Sequence, residues 1–142
     1  MSISEKLKLG LRIKEELLAG ETTRPIAIGG ELASTVDEFN YDQVVMFNET
    51  IWAGIWAREG LNRKHRSLLM LGILAGLNRR EQFGLHVRVA LKNGVTVDEL
   101  REVCIQIAGY CGGPTGSECL QVTREILREK GYKFAPKGFG AE

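Results

Sequence analysis

Residues 63–111 read RKHRSLLMLGILAGLNRREQFGLHVRVALKNGVTVDELREVCIQIAGYC, and this stretch decides the fold class. From Arg63 to about Gly76, Leu68, Leu71, Leu74 and Ala75 recur at helical spacing, and Leu77-Asn78 turns the chain into a second helix over Arg79–Asn93. Asn93-Gly94 stops that helix. Thr96-x-x-Glu99 is a capping box, in which hydroxyl and carboxylate satisfy each other's backbone amides. It opens a third helix whose Leu100, Val103, Ile107 and Tyr110 or Cys111 share one stripe until Gly112-Gly113.

Downstream, Pro114 sits where a first-turn proline starts a helix, here running to about Lys130, and residues 131–142 form a tail that is loose or packed on another subunit. Upstream, Thr35 and Glu38 have capping-box spacing, and a helix from there to about Arg58 carries Phe39, Val44, Phe47, Ile51 and Ile55 among its apolar positions before Gly60 closes it. Glu21 to Ser34, with Pro25 and Gly29-Gly30, has no helical period and reads as a loop, a lid over a site or an arm on a neighbour. Ser4 to Leu18 is an amphipathic helix through Leu7, Leu11 and Leu18 that ends at Ala19-Gly20. No segment alternates at period two, so the expectation is one all-α domain of about six helices. Its parts are an N-terminal helix and loop (1–38), a core (39–130) and the tail.

The 142 residues, 44% of them apolar, suffice for one self-supporting core. Nineteen Lys and Arg against eighteen Asp and Glu leave +1 formally, which provides no field for a phosphate backbone, so nucleic acid is not an expected partner. No window reaches the ~18 apolar residues of a membrane span and the N-terminus lacks a signal-peptide core, so the expected location is the cytoplasm. Cys104, Cys111 and Cys119 match no disulfide or zinc spacing and read as reduced thiols, with Cys104 and Cys111 on one inward helical face.

Among chemically capable residues, neither His65 nor His86 has the i, i+4 partner of a helical metal site, so no metal is expected. His86 falls on the arc of Phe83 and Val87 while Arg88 and Lys92 point away, which turns it inward, either as a core histidine satisfied by a carbonyl or as an acid/base residue. His65, among Arg63, Lys64 and Arg66, reads as solvated. Trp52 and Trp56 share a face, as core or as the wall of a pocket, and Arg58, Arg63, Arg66, Arg79 and Arg80 form a cationic rim from which an inward Arg would hold a carboxylate.

Five signatures stand in order: Trp-x-x-x-Trp-x-Arg-x-Gly-Leu (52–61), Arg-x-x-Arg-Ser-Leu-Leu (63–69), His-x-x-x-Ala-Leu-x-Asn-Gly-Val-Thr (86–96), Glu-Leu-x-Glu-Val (99–103) and Tyr-x-Gly-x-Pro (110–114). With them the chain resembles the carboxymuconolactone decarboxylase family. The resemblance implies an alkylhydroperoxidase-D-like helical bundle assembled as a homo-oligomer, trimer or hexamer, with pockets at subunit contacts. In the peroxidase-like branch the matching helix carries Cys-x-x-Cys-x-x-x-His, and here Arg79 and Gln82 stand where those cysteines would be. Gly54 stands where the decarboxylases usually have Glu, and Gln106 where His is common.

The implied activity is loss of carbon dioxide from a carboxylated unsaturated lactone in aromatic-compound catabolism, without metal or organic cofactor. The chemistry needs a carboxylate anchor, donors at the developing enolate oxygen and a proton donor. The expected roles are Arg58 or Arg66 as anchor, Gln106 or Tyr110 as donors and His86 as proton donor, with Trp52, Trp56 and Cys111 lining the pocket. The alternatives are an isomerase or cyclase using the same pocket, a redox protein using Cys104, Cys111 or Cys119, and a non-catalytic ligand-binding oligomer.

Overall fold

The computed structural model describes residues 3–21 and 36–140. Of the loop predicted from Glu21 to Ser34, residues 22–34 lie outside the described residues, as does Thr35 with its capping hydroxyl. Six α-helices and one π-helix make up the described secondary structure: α1 (Glu5–Leu18), α2 (Tyr41–Phe47), the π-helix (Asn48–Trp56), α3 (Arg63–Gly76), α4 (Arg80–Lys92), α5 (Val97–Cys111) and α6 (Gly113–Glu129). No strand occurs among the described residues, so the all-α expectation holds, and α3 to α6 fall within about a residue of the spans read from the sequence.

The local chemistry explains the boundaries. Ser4 Oγ accepts from the Leu7 amide at 3.0 Å and caps α1. Asn62 does the same for α3 through the His65 amide at 2.9 Å. The Thr96–Glu99 box is complete, with both reciprocal bonds formed. Gly94 and Gly112 supply the positive φ of 90° and 94° that end α4 and α5, a conformation that disfavours a side chain.

The region before Trp56 is a correction. The chain does not run as one α-helix from about residue 35 to 58. Asp37 Oδ1 accepts from the Phe39 and Asn40 amides in a turn, α2 starts only at Tyr41, and from Asn48 the ladder widens to π geometry. Two side chains compete there for backbone carbonyls: Asn48 Nδ2 donates to the Val44 oxygen at 2.7 Å, and Thr50 Oγ1 donates to the Met46 oxygen. A π turn holds more residues than an α turn, so the 3.6-residue period misassigns faces. Phe39, read as an apolar position of that helix, lies in the turn before α2 and is 96% exposed; Phe47 and Ile55 are exposed too, and the residues buried in the π-helix are Asn48 and Trp56.

Two layers of core meet at α4. Phe83, Val87 and Ala90 pack with Leu71 and Leu74 of α3, Leu100 and Ile107 of α5, and Cys119 and Ile126 of α6. Val89 turns the other way, into a cluster with Ile13, Leu17 and Leu18 of α1 and Trp56 of the π-helix. The second layer depends on a close approach. A Cβ placed on Gly10 of α1 would stand 2.0 Å from the Asn48 carbonyl oxygen, so a bare backbone lets α1 lie directly on the π-helix. A similar approach joins α6 to α5, where a Cβ on Gly116 would meet Ala108 Cβ at 2.4 Å. No helix among the described residues is long and apolar enough to cross a membrane. Residues 131–140 of the tail carry no regular structure and are exposed throughout.

Gly10→Ala must push α1 off the π-helix and should cost about 2–3 kcal/mol in urea unfolding. Gly109→Ala, with nothing within 4 Å of the added carbon, should be neutral or stabilising by up to about 1 kcal/mol. Equal, small effects at both positions would contradict the close approach.

Candidate active site

The sequence-predicted residues divide between two places. The first is the seam between the π-helix and α4. Trp52 and Trp56 stack with ring centroids 6.1 Å apart at 27°, and Trp56 stacks in turn on His86 at 6.0 Å and 21°. Trp56 is buried and Trp52 half-buried. His86 is 6% exposed, inward as its helical position predicts, and its Nδ1 has no hydrogen-bond partner among the described residues. Loss of water on burial disfavours the imidazolium and lowers the His86 pKa to about 4, so the ring is neutral at pH 7 in the ligand-free protein.

Arg66, on α3, reaches the backbone just past the π-helix. Its Nη2 donates to the Arg58 carbonyl at 3.2 Å, and its Nε is buried without a partner among the described residues. Arg58 is exposed and contributes its backbone. Of the other rim cations, Arg63 pairs with Glu16 of α1 at 2.7 Å, while Arg79 and Arg80 are exposed at the start of α4. His65 is exposed, as expected.

The second place is an open groove of about 870 Å³ between α3 and α5. Leu68, Val103 and Ile107 form its apolar lining, with Gln106, Tyr110 and Cys111 along α5 and Asp98, Glu99, Arg101 and Glu102 at the charged end. Tyr110 is 89% exposed. Trp52, Trp56 and His86 are not among its lining residues, so the expected donors Gln106 and Tyr110 line a different place from the stack that holds the expected proton donor. Cys111 is also a correction: it is exposed in the groove, whereas Cys104 and Cys119 are buried. The helix that buries Cys104 ends at Cys111, whose position falls outside the packed stripe. Burial raises the Cys104 thiol and pushes Cys119 up to about 11, the opposite of what a nucleophilic or peroxidatic thiol needs.

Sequence reasoning missed three polar residues. Ser67 is fully buried and accepts from Asn93 Nδ2 at 2.9 Å, tying α3 to the end of α4. Asn48 is fully buried in the π-helix, where no α-helical period would place it. Lys14 is half-buried on α1, and a helical wheel of that segment would have found it, since it stands amid Leu7, Gly10, Leu11, Leu17 and Leu18.

A profile of the carboxymuconolactone decarboxylase family matches residues 45–125, which takes in the π-helix, the His86 helix and the groove. The chain belongs to that family. Its relatives include the 4-carboxymuconolactone decarboxylase of Acinetobacter baylyi, 28% identical over 92% of this chain and 93% of that one. The nitrosuccinic acid decarboxylase of Metarhizium robertsii is 32% identical over 84% of this chain and 80% of that one. Membership in the family, with decarboxylases matching along most of its length, makes the chain a carboxy-lyase.

The buried neutral imidazole has a thermodynamic signature. The unfolded chain takes a proton on His86 near pH 6.5 and the folded chain only near 4, so stability is full above 6.5 and falls as pH drops through that window. At about 1.4 kcal/mol per pKa unit, His86 should account for about 2 kcal/mol of stability lost between pH 7 and pH 5. Urea unfolding across that range should show a shallower acid loss in His86→Phe. Parallel curves for the two proteins would contradict the neutral buried ring.

Proposed function

We propose that this carboxy-lyase acts on a carboxylate attached to carbon conjugated with an electron-accepting group, with a γ-carboxymuconolactone-like unsaturated lactone as the first candidate. The observation that carries the reading is the buried His86 ring stacked on Trp56 with Nδ1 unpartnered among the described residues. As the carbon–carbon bond to the carboxylate breaks, its electron pair passes through the double bond to the lactone carbonyl, carbon dioxide leaves and a dienolate remains. A proton from His86 then closes the step on carbon. The conjugated carbonyl is itself the electron sink, so the reaction needs no cofactor. A nitro group on the carbon that loses carboxylate would accept the electron pair equally well, which brings nitrosuccinic acid into the same substrate class.

A neutral imidazole is a poor proton source. An anionic substrate entering the apolar seam favours imidazolium over imidazole, and the Trp56 face next to it favours the cation again. His86 therefore gains its proton when the substrate binds, gives it to carbon and returns to neutral.

The donors for the enolate oxygen come from Gln106 and Tyr110 in a homo-oligomer, trimer or hexamer, in which the groove face of one copy meets the His86 seam of the next. Exposed Leu69, Ile73, Ile105 and Tyr110 support such contacts. The assembly serves aromatic-compound catabolism in the cytoplasm.

The test is carbon dioxide release from freshly generated γ-carboxymuconolactone, with nitrosuccinic acid in parallel. Turnover of at least one is expected, and His86→Ala or His86→Gln should lower kcat by about 10²–10⁴. Ring closure or isomerisation without carbon dioxide release, or wild-type rates in the His86 variants, would overturn the reading.

A further inference from the structure

The decarboxylation described above requires a cation for the substrate carboxylate that stays behind. Of the two arginines expected to provide it, Arg58 is exposed and Arg66 donates Nη2 to the Arg58 carbonyl, which leaves its buried Nε without a partner among the described residues. Another cation stands on α1, the helix that packs on the π-helix. At 100° per residue, Leu7, Gly10, Leu11, Leu17 and Leu18 all lie within about 60° of Lys14 around α1, so Lys14 is at the centre of the helix's inward face. All five of those residues are buried.

The other cations of α1 behave as surface residues. Lys6, Lys8 and Arg12 are exposed; Lys8 pairs with Glu5 at 2.6 Å and Arg12 with Glu16 at 3.9 Å. Lys14 is half-buried, with no ion-pair partner among the described residues. Its surroundings belong to the seam. Gly10, one turn earlier, touches Asn48 of the π-helix, and Ile13 and Leu17 pack in the cluster that holds Trp56 and Val89, with Trp52 at its edge. Burial of its stem lowers the Lys14 pKa. Fold stability alone would favour Met or Leu at the centre of such a stripe.

We infer that Lys14 is the anion-holding residue of the site, placed on the α1 wall of the Trp52–Trp56–His86 seam to pair with the carboxylate that the substrate retains. This rests on the decarboxylase reading of the seam for the identity of the substrate, but the binding of a carboxylate is testable apart from turnover. Lys14 has no part in bond breaking. Its effect belongs in affinity.

The probe is cis,cis-muconate, a dicarboxylate with no carboxylate poised to leave, titrated against the emission of Trp52 and Trp56. The wild-type protein should bind it with a change in emission. Lys14→Met should weaken binding at least about tenfold, Lys14→Arg should restore it to within about threefold, and Lys8→Met should leave it unchanged. With a turned-over substrate, Lys14→Met should raise KM by a similar factor at nearly constant kcat. Thermal unfolding of Lys14→Met at or above the wild-type Tm shows that the loss is not one of folding. Muconate binding that depends on Lys14 in a protein that releases no carbon dioxide would sustain the anion site and defeat the decarboxylase reading. Equal binding by wild type and Lys14→Met, or no binding by wild type, would overturn the proposal while leaving a His86-dependent turnover untouched.

Discussion

The stack of His86 on Trp56 is the interaction on which the rest depends, because it joins the two layers of the protein at a point where neither layer is purely apolar. His86 comes from α4, whose neighbouring Phe83, Val87 and Ala90 belong to the four-helix core, and Trp56 comes from the last turn of the π-helix, held against α1 by the bare backbone of Gly10. An imidazole placed there is desolvated without a hydrogen bond at Nδ1 among the described residues, a cost of about 1–3 kcal/mol for a buried polar atom. A core built only for stability would carry an apolar residue in that position. A site that receives an anion gains from the arrangement, since the same low-dielectric seam that suppresses the proton in the empty protein strengthens the attraction between imidazolium and substrate once the anion is inside.

Much of the helical frame was legible in the sequence because its signals are local. The Thr96–Glu99 capping box, the Asn93-Gly94 stop and Pro114 act within one turn, and α3 to α6 follow them closely. The inward placement of His86 followed from the arc it shares with Phe83 and Val87, and the burial of both agrees. The stretch before Trp56 was not legible in the same way. Its geometry depends on Asn48 and Thr50 side chains taking up backbone carbonyls and on a helix that arrives from forty residues earlier, and a fixed 3.6-residue period describes neither.

The candidate site was legible as a set of residues but not as an arrangement. Trp52, Trp56 and His86 do meet. Gln106 and Tyr110, reached through the same resemblance, open onto a groove on another face, and nothing in a one-chain pattern distinguishes residues that meet within a chain from residues that meet across copies. The thiols illustrate the reverse case. Equal spacing put Cys104 and Cys111 on one stripe, yet the stripe ends where the helix ends, leaving one buried and the other in solvent. Lys14 was hidden by composition: in a helix rich in Lys and Glu a further lysine attracts no notice until the buried stripe is drawn around it.

The central claim is that His86 waits as a neutral ring and takes its proton with the anion. Ring-nitrogen NMR of specifically labelled His86, titrated from pH 4 to 8 with and without muconate, reads this directly. The account predicts a neutral ring throughout most of that range in the free protein, titrating near 4, and a midpoint at least one pH unit higher in the complex. A ring that titrates near 6.5 in the free protein, or whose midpoint does not move when the dicarboxylate binds, would contradict it.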